Sequence, residues 1–163
     1  MAFDAFISID GIDGESTDDK HQGWSEILSF GCGHSQTVSR TASSAGGAGA
    51  ERADFRNFQF EKLLDKASPK LALACASGIH IDKITFEFCR AGTEKIKYME
   101  ITMSNCFISD YSVIGDGEDA FPIESTSIDY GKIQWIYTQQ RREGGVAAGN
   151  IATGWNLETN SKV

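Results

Sequence analysis

Apolar and polar positions alternate with period two along most of the chain, and that pattern predicts strands. Phe3, Ala5, Ile7 and Ile9 fall on one face of a run that Asp10-Gly11 ends, which places a first strand over 3–9. A polar, turn-rich stretch from Gly14 to His21 follows as a loop, and apolar positions resume at Trp24, Ile27, Leu28 and Phe30 to open a second strand, around Ile27 to Gln36. Phe58-Gln59-Phe60 alternates as a third. Ile84, Phe86 and Phe88 share one face of a further strand, Ala91-Gly92-Thr93 turns it, and Ile96 through Phe107 form a long partner carrying apolar side chains on both faces. Phe107 to Ile114 and Ile123 to Tyr130 read as separate strands around the acidic turn 115–119, and Ile133, Trp135 and Tyr137 mark the last clear one.

Two segments break the alternation. Ser68-Pro69 puts a capping serine before a proline at the first helical position, and the run through Leu71, Leu73 and Cys75 meets Gly78, which suits a left-handed stop; this predicts one short helix from about Pro69. Residues 42–50 are Ala, Ser and Gly alone, with little to bury and much conformational entropy to lose, so they read as a flexible loop. Many short strands and one helix give a mainly β fold, a β-barrel or sandwich of antiparallel sheets with a helical insert, and a length of 163 residues suits a single domain over 1–163.

Composition narrows the function. A hydrophobic fraction of 40% with 23% charged residues is that of a folded globular chain. A formal charge of −8 argues against nucleic acid or an anionic membrane as partner, because both need clustered Lys and Arg; Arg141-Arg142 is followed at once by Glu143 and reads as a solvated loop. No window approaches the roughly 18 apolar residues of a membrane helix, and the start lacks the basic and long apolar regions of a signal peptide. Synthesis in the cytoplasm without a cleaved signal is the expectation. Cys32, Cys75, Cys89 and Cys106 lack paired spacing and read as reduced, mostly buried small residues.

No catalytic constellation emerges. His21, His34 and His80 are the only histidines, and none stands in a nucleophile motif. Gly31-Cys32-Gly33-His34 places a thiol and an imidazole on the same side of a strand, yet a zinc site needs about four ligands, so a packing cysteine and a surface histidine account for them better. His80 follows the helix end and is expected to cap its carbonyls. Asp18-Asp19 and Glu118-Asp119 read as solvated turns, and no phosphate or dinucleotide loop is present. The expectation is a non-enzyme with no metal and no cofactor.

The chain resembles the Hcp (haemolysin-coregulated protein) family of type VI secretion tube subunits in three separated blocks. Asp4-Ala5-Phe6-Ile7-Ser8-Ile9 with Gly14-Glu15-Ser16-Thr17-Asp18 and His21 is similar to the family's start. Ser68-Pro69 through Ala74-Cys75-Ala76-Ser77-Gly78 with His80 is similar to its helical insert, and Tyr130-Gly131-Lys132-Ile133 with Gly154-Trp155-Asn156 to its C-terminal signature. The resemblance implies a β-barrel of two antiparallel sheets with one short flanking α-helix, assembling as a homohexameric ring. Rings would stack into a tube within a sheath, behind a spike, and be exported, with small effector proteins held in the lumen. A dedicated effector-binding chaperone or carrier ring is the alternative.

By the same resemblance the second strand faces the lumen. Ser29, Gly31, Gly33 and Ser35 lie small and polar on one alternation there and are the expected cargo-facing positions, with Cys32 and His34 on the other. The 42–50 loop, through Ser43, Ser44, Gly46, Gly47 and Gly49, either orders against a neighbouring subunit or ring or stays disordered.

Overall fold

A computed structural model describes residues 3–38, 49–92, 94–118, 120–140 and 147–163. The order is β1 (Phe3–Ile9), β2 (Ser25–Ile27), β3 (Ser29–Gly31), β4 (His34–Ser35), β5 (Asp54–Phe55), β6 (Phe58–Leu63), α1 (Ser68–Ser77), β7 (Ile81–Arg90), β8 (Lys97–Ile114), β9 (Ile123–Gln140), β10 (Ala147–Asn156) and β11 (Ser161–Lys162). Nine strands form one antiparallel sheet along the path β11-β10-β9-β8-β7-β1-β2, from which β6 and β3 branch off the first half of β9. The mainly β architecture with one short helix is therefore as expected.

The sheet folds over on itself because β8 and β9 are long and bent. Each runs 18 residues, pairing with β7 and β10 in one half and forming the β3-β6-β9-β8 layer in the other. At the bend Asn105 takes a left-handed φ of 54°, and the register shifts between Ile108 and Asp110. A Cβ at Gly131 would meet the Glu158 side chain at 2.6 Å and stand 3.2 Å from the Asn105 Cβ, so the corner is closely packed there. The two layers enclose Ile84, Phe86, Ile101, Met103 and Ile133 from one side and Phe58, Phe60, Ile108 and Ile128 from the other. Phe30, Phe58 and Phe86 meet across the gap at centroid distances of 5.0 to 6.1 Å. The fully buried side chains, such as Phe58 and Phe86, each contribute about 1.5–3 kcal/mol, and Phe30, partly buried, contributes less.

Several expectations change. The strands expected over 96–107 and 107–114 are one, as are those over 123–130 and 133–137, because a bend, not a turn, divides them. The second strand is cut into β2, β3 and β4. The tail forms β10, held by pairing with β9 despite its small residues. In β1, Phe6 is as buried as Ala5 and Ile7, while Phe3 is 45% exposed, since the loop after β1 covers the second face. The helix cap is Ala67, and Ser68 is already helical. The Ser68 hydroxyl instead accepts the Asp65 N–H at 3.0 Å, and Asp65 Oδ1 accepts the Ala67 N–H. Gly78 ends the helix at φ 65° as expected. His80 pairs with Asp82 at 3.3 Å and meets the Phe107 ring, away from the helix carbonyls. Cys89 and Cys106 are buried, Cys75 is half-buried, and Cys32 is exposed; all four are free thiols.

A polar cluster lies within the core where α1 begins. Lys62, 1% exposed, alternates with Phe58 and Phe60 on the inner face of β6, and its Nζ stands 2.7 Å from both Asp65 Oδ1 and Glu124 Oε1. Glu124 Oε2 accepts the Tyr111 hydroxyl at 2.9 Å, and Asp65 Oδ2 accepts that of Ser25. Burial, with the Glu124 charge beside it, pushes the Tyr111 hydroxyl up to about 12.

Candidate functional site

The β3-β6-β9-β8 layer turns a polar face outward. Register aligns Ser29, Glu61, Ser125 and Ser112 in one row, and Gly31, Gln59, Ser127 and Asp110 in the next. Ser29 Oγ donates to Glu61 Oε2 at 2.7 Å, and a Cβ at Gly31 would meet nothing within 4 Å. The opposite alternation carries Phe30, Phe60, Thr126 and Tyr111 inward, so these two rows are small or polar outside, while the next row of the same face turns Leu63 and Ile114 outward, 42% and 73% exposed.

This layer is open at both ends. Among the described residues β3 pairs only with β6, and the 107–114 part of β8 pairs only with β9, since β7 stops opposite Cys106. α1 packs against β8.

The structure brings Ser29 and Gly31 together but sets the other two expected positions apart. Gly33 lies under Arg56, whose Nη2 would be 2.8 Å from a Cβ there, and Ser35 sits opposite Asp54 in the separate β4-β5 ribbon. The Val38–Ala50 bridge and a 3.1 Å bond from Glu51 N–H to the Thr37 carbonyl extend that ribbon. Ser43, Ser44, Gly46 and Gly47 lie outside the described residues, and Gly49 is exposed at the ribbon's end. His34 stacks on Phe55 at 4.6 Å, and a cleft of about 760 Å³ opens between the ribbon and β9-β10-β11, lined by Phe55, Trp135, Trp155, Arg52 and Lys162.

A buried polar site lies in a segment that sequence reasoning passed over as a loop. Gly14 N–H bonds the Gly23 carbonyl, Gly23 N–H that of Ser16, and Ser16 N–H that of Trp24, all within 3.0 Å, so residues 14–24 close on themselves. A Cβ at Gly14 would stand 2.5 Å from the Trp24 carbonyl oxygen, which forbids any larger residue. His21 is 2% exposed and stacks on Phe6 at 4.1 Å with the planes 4° apart. Its Nδ1 faces Asp18 Oδ1 at 2.7 Å and its Nε2 faces Glu87 Oε2 at 2.8 Å. Lys95 reaches Asp18 Oδ2 at 2.8 Å, and Lys97 reaches Glu87 Oε1 at 3.2 Å. The Asp18–His21 half of this site was legible as an i, i+3 spacing; Glu87 lies 66 residues away and was not.

Asp18 links the site to pH. The Lys95 ammonium first, and His21 after it, hold its carboxyl at about 2 against the ordinary 3.8. A carboxyl lowered on folding stabilises fully above its unfolded value and loses that contribution as pH falls through the folded one, here between about 4 and 2. The thermal midpoint should fall over that window, and Asp18→Asn should start lower and fall less; equal slopes for both proteins would refute the assignment.

Comparison with known proteins gives one consistent answer. Residues 6–137 match the family model described as type VI secretion system effector, Hcp. Protein hcp1 of Pseudomonas aeruginosa is 32% identical over 161 residues, 98% of each chain. A solved type six secretion system protein superposes with a TM-score of 0.93 at 32% identity, covering 99% of this chain and 100% of the other. Hcp1 from Salmonella typhimurium gives 0.81 at 27% identity over 100% of both chains.

Proposed function

Because the chain belongs to the Hcp family, the secreted tube subunits of the type VI secretion system, we propose that it assembles as a hexameric ring that stacks into a tube and carries small effector proteins in its lumen. The observation that carries this reading is the β3-β6-β9-β8 layer, open at one edge at Ser29–Gly31 and at the other along 107–114. Two different unpaired edges suit a head-to-tail contact between copies, and such contacts close into a ring when the rotation allows. Ser29 and Gly31 then line the lumen, where a small polar wall suits water and a passing protein cargo, and Gly33 and Ser35 flank it.

The ribbon that leads to Ser43, Ser44, Gly46, Gly47 and Gly49 contacts a neighbouring subunit or ring. Sheath and spike proteins are the other partners, and the machine takes the chain from the bacterial cytoplasm. The role is mechanical, without catalysis. Among the described residues no helix is long and apolar enough to cross a membrane.

The test is the mass of the purified protein by light scattering on a sizing column, with negative-stain imaging of the peak. A mass near six chains and hollow rings is expected. A strictly monomeric protein across a wide concentration range would overturn the assembly, and a small protein that co-purifies with the ring would favour a dedicated carrier.

A further inference from the structure

We propose that His21, Glu87 and Cys89 bind a divalent transition-metal ion of the zinc class, which fastens the 14–24 loop to β7. One ligand atom from each residue lies within 4.8 Å of the other two. Metal–ligand bonds of about 2.0–2.3 Å place tetrahedral donors roughly 3.5 Å apart, so these three converge on an ion with shifts of about 1 Å or less. Glu87 and Cys89 stand two apart on β7 and therefore project from the same face, towards the His21 ring.

The surroundings are those of a metal ligand set. Asp18 Oδ1 accepts the Nδ1 proton at 2.7 Å, which directs Nε2 at Glu87, and a carboxylate on the far nitrogen is the usual support of a metal-bound imidazole. Phe6 fixes the plane of the ring. Lys97 occupies Glu87 Oε1 and leaves Oε2 facing His21. His21 and Cys89 are 2% and 0% exposed and Glu87 is 15% exposed, so the site is largely buried with its carboxylate reaching solvent. Imidazole nitrogen, thiolate sulfur and one carboxylate oxygen select zinc over magnesium or calcium, which demand oxygen shells. A fourth position is left for water.

Binding balances in charge. Without an ion, Nε2 shares a hydrogen with Glu87 Oε2 across 2.8 Å and Cys89 is a buried free thiol. A divalent ion displaces the Nε2 proton and the Cys89 thiol proton to solvent, so two protons leave for two positive charges gained.

The experiment uses the full chain, stripped with a chelator and titrated with Co²⁺ as a spectroscopic substitute for Zn²⁺. One equivalent per chain, a near-ultraviolet thiolate-to-cobalt charge-transfer band and displacement by Zn²⁺ are expected. Cys89→Ser should abolish the band, Cys32→Ser should leave it, and Asp18→Asn should weaken affinity about 10- to 100-fold while retaining it. Absence of the band, or its survival in Cys89→Ser, would overturn the site. Glu87→Gln is isosteric and guards against a folding defect in the cysteine variant. With its circular dichroism intact it must lower the affinity, and an unchanged affinity would also overturn the site.

Discussion

Lys62→Met should lower the unfolding free energy by about 3–5 kcal/mol, the range found when one partner of a buried ion pair is removed. For a chain of this length that moves the thermal midpoint down by roughly 10 °C. Lys62 is 1% exposed and Glu124 is 0% exposed, and the 2.7 Å contact between them is an ion pair without well-aligned hydrogen-bond geometry at Glu124 Oε1. Without the ammonium, Glu124 keeps only the Tyr111 hydroxyl, and one neutral donor does not offset a buried carboxylate. Asp65, 13% exposed, still reaches water and loses less.

The double variant Lys62→Met, Glu124→Gln should recover most of the loss, because the amide oxygen still accepts from Tyr111 and no charge remains in the core. Chemical denaturation of both singles and the double gives the coupling directly. A loss below about 1 kcal/mol in the single variant would mean that the pair is hydrated, as exposed pairs are.

Lys62 also shows what the sequence could and could not disclose. Phe58, Phe60 and Lys62 share one alternation, so a lysine on the core face was legible in the pattern; its partner Glu124, 62 residues on, was not. The same division runs through the molecule. The bounds of β1 and the left-handed stop at Gly78 depend on residues adjacent in sequence, and both were readable. The continuity of β8 and β9 was hidden because Asn105 and Gly131, which face each other near the bend, are residue types that also end strands. β10 was hidden for the opposite reason: Ala147, Ala148, Gly149 and Asn150 have no strand signature, and the strand exists because Ile151 and Trp155 pair with Tyr137 and Ile133 of β9. Ser29 and Gly31 fell on the open face as the alternation required. Gly33 and Ser35 left it because the chain turns off the sheet after Gly31.

The open edge of β8 permits a paired test of assembly. Successive N–H groups of a strand point to opposite edges, so of Ser112 and Val113 one directs its N–H to β9 and the other to the open side. Proline removes that donor and is tolerated only at an edge. Of Ser112→Pro and Val113→Pro, one should therefore lose a ladder bond to β9 and unfold at lower temperature. The other should keep its circular dichroism and thermal midpoint but run as a monomer in light scattering, because the donor needed by the neighbouring copy is gone. Two folded variants that retain a mass near six chains would exclude this edge from the ring contact. Two unfolded variants would mean that the edge is already covered within the chain, with α1, which packs against β8, as the covering element. Only the split outcome fits an edge reserved for a second copy.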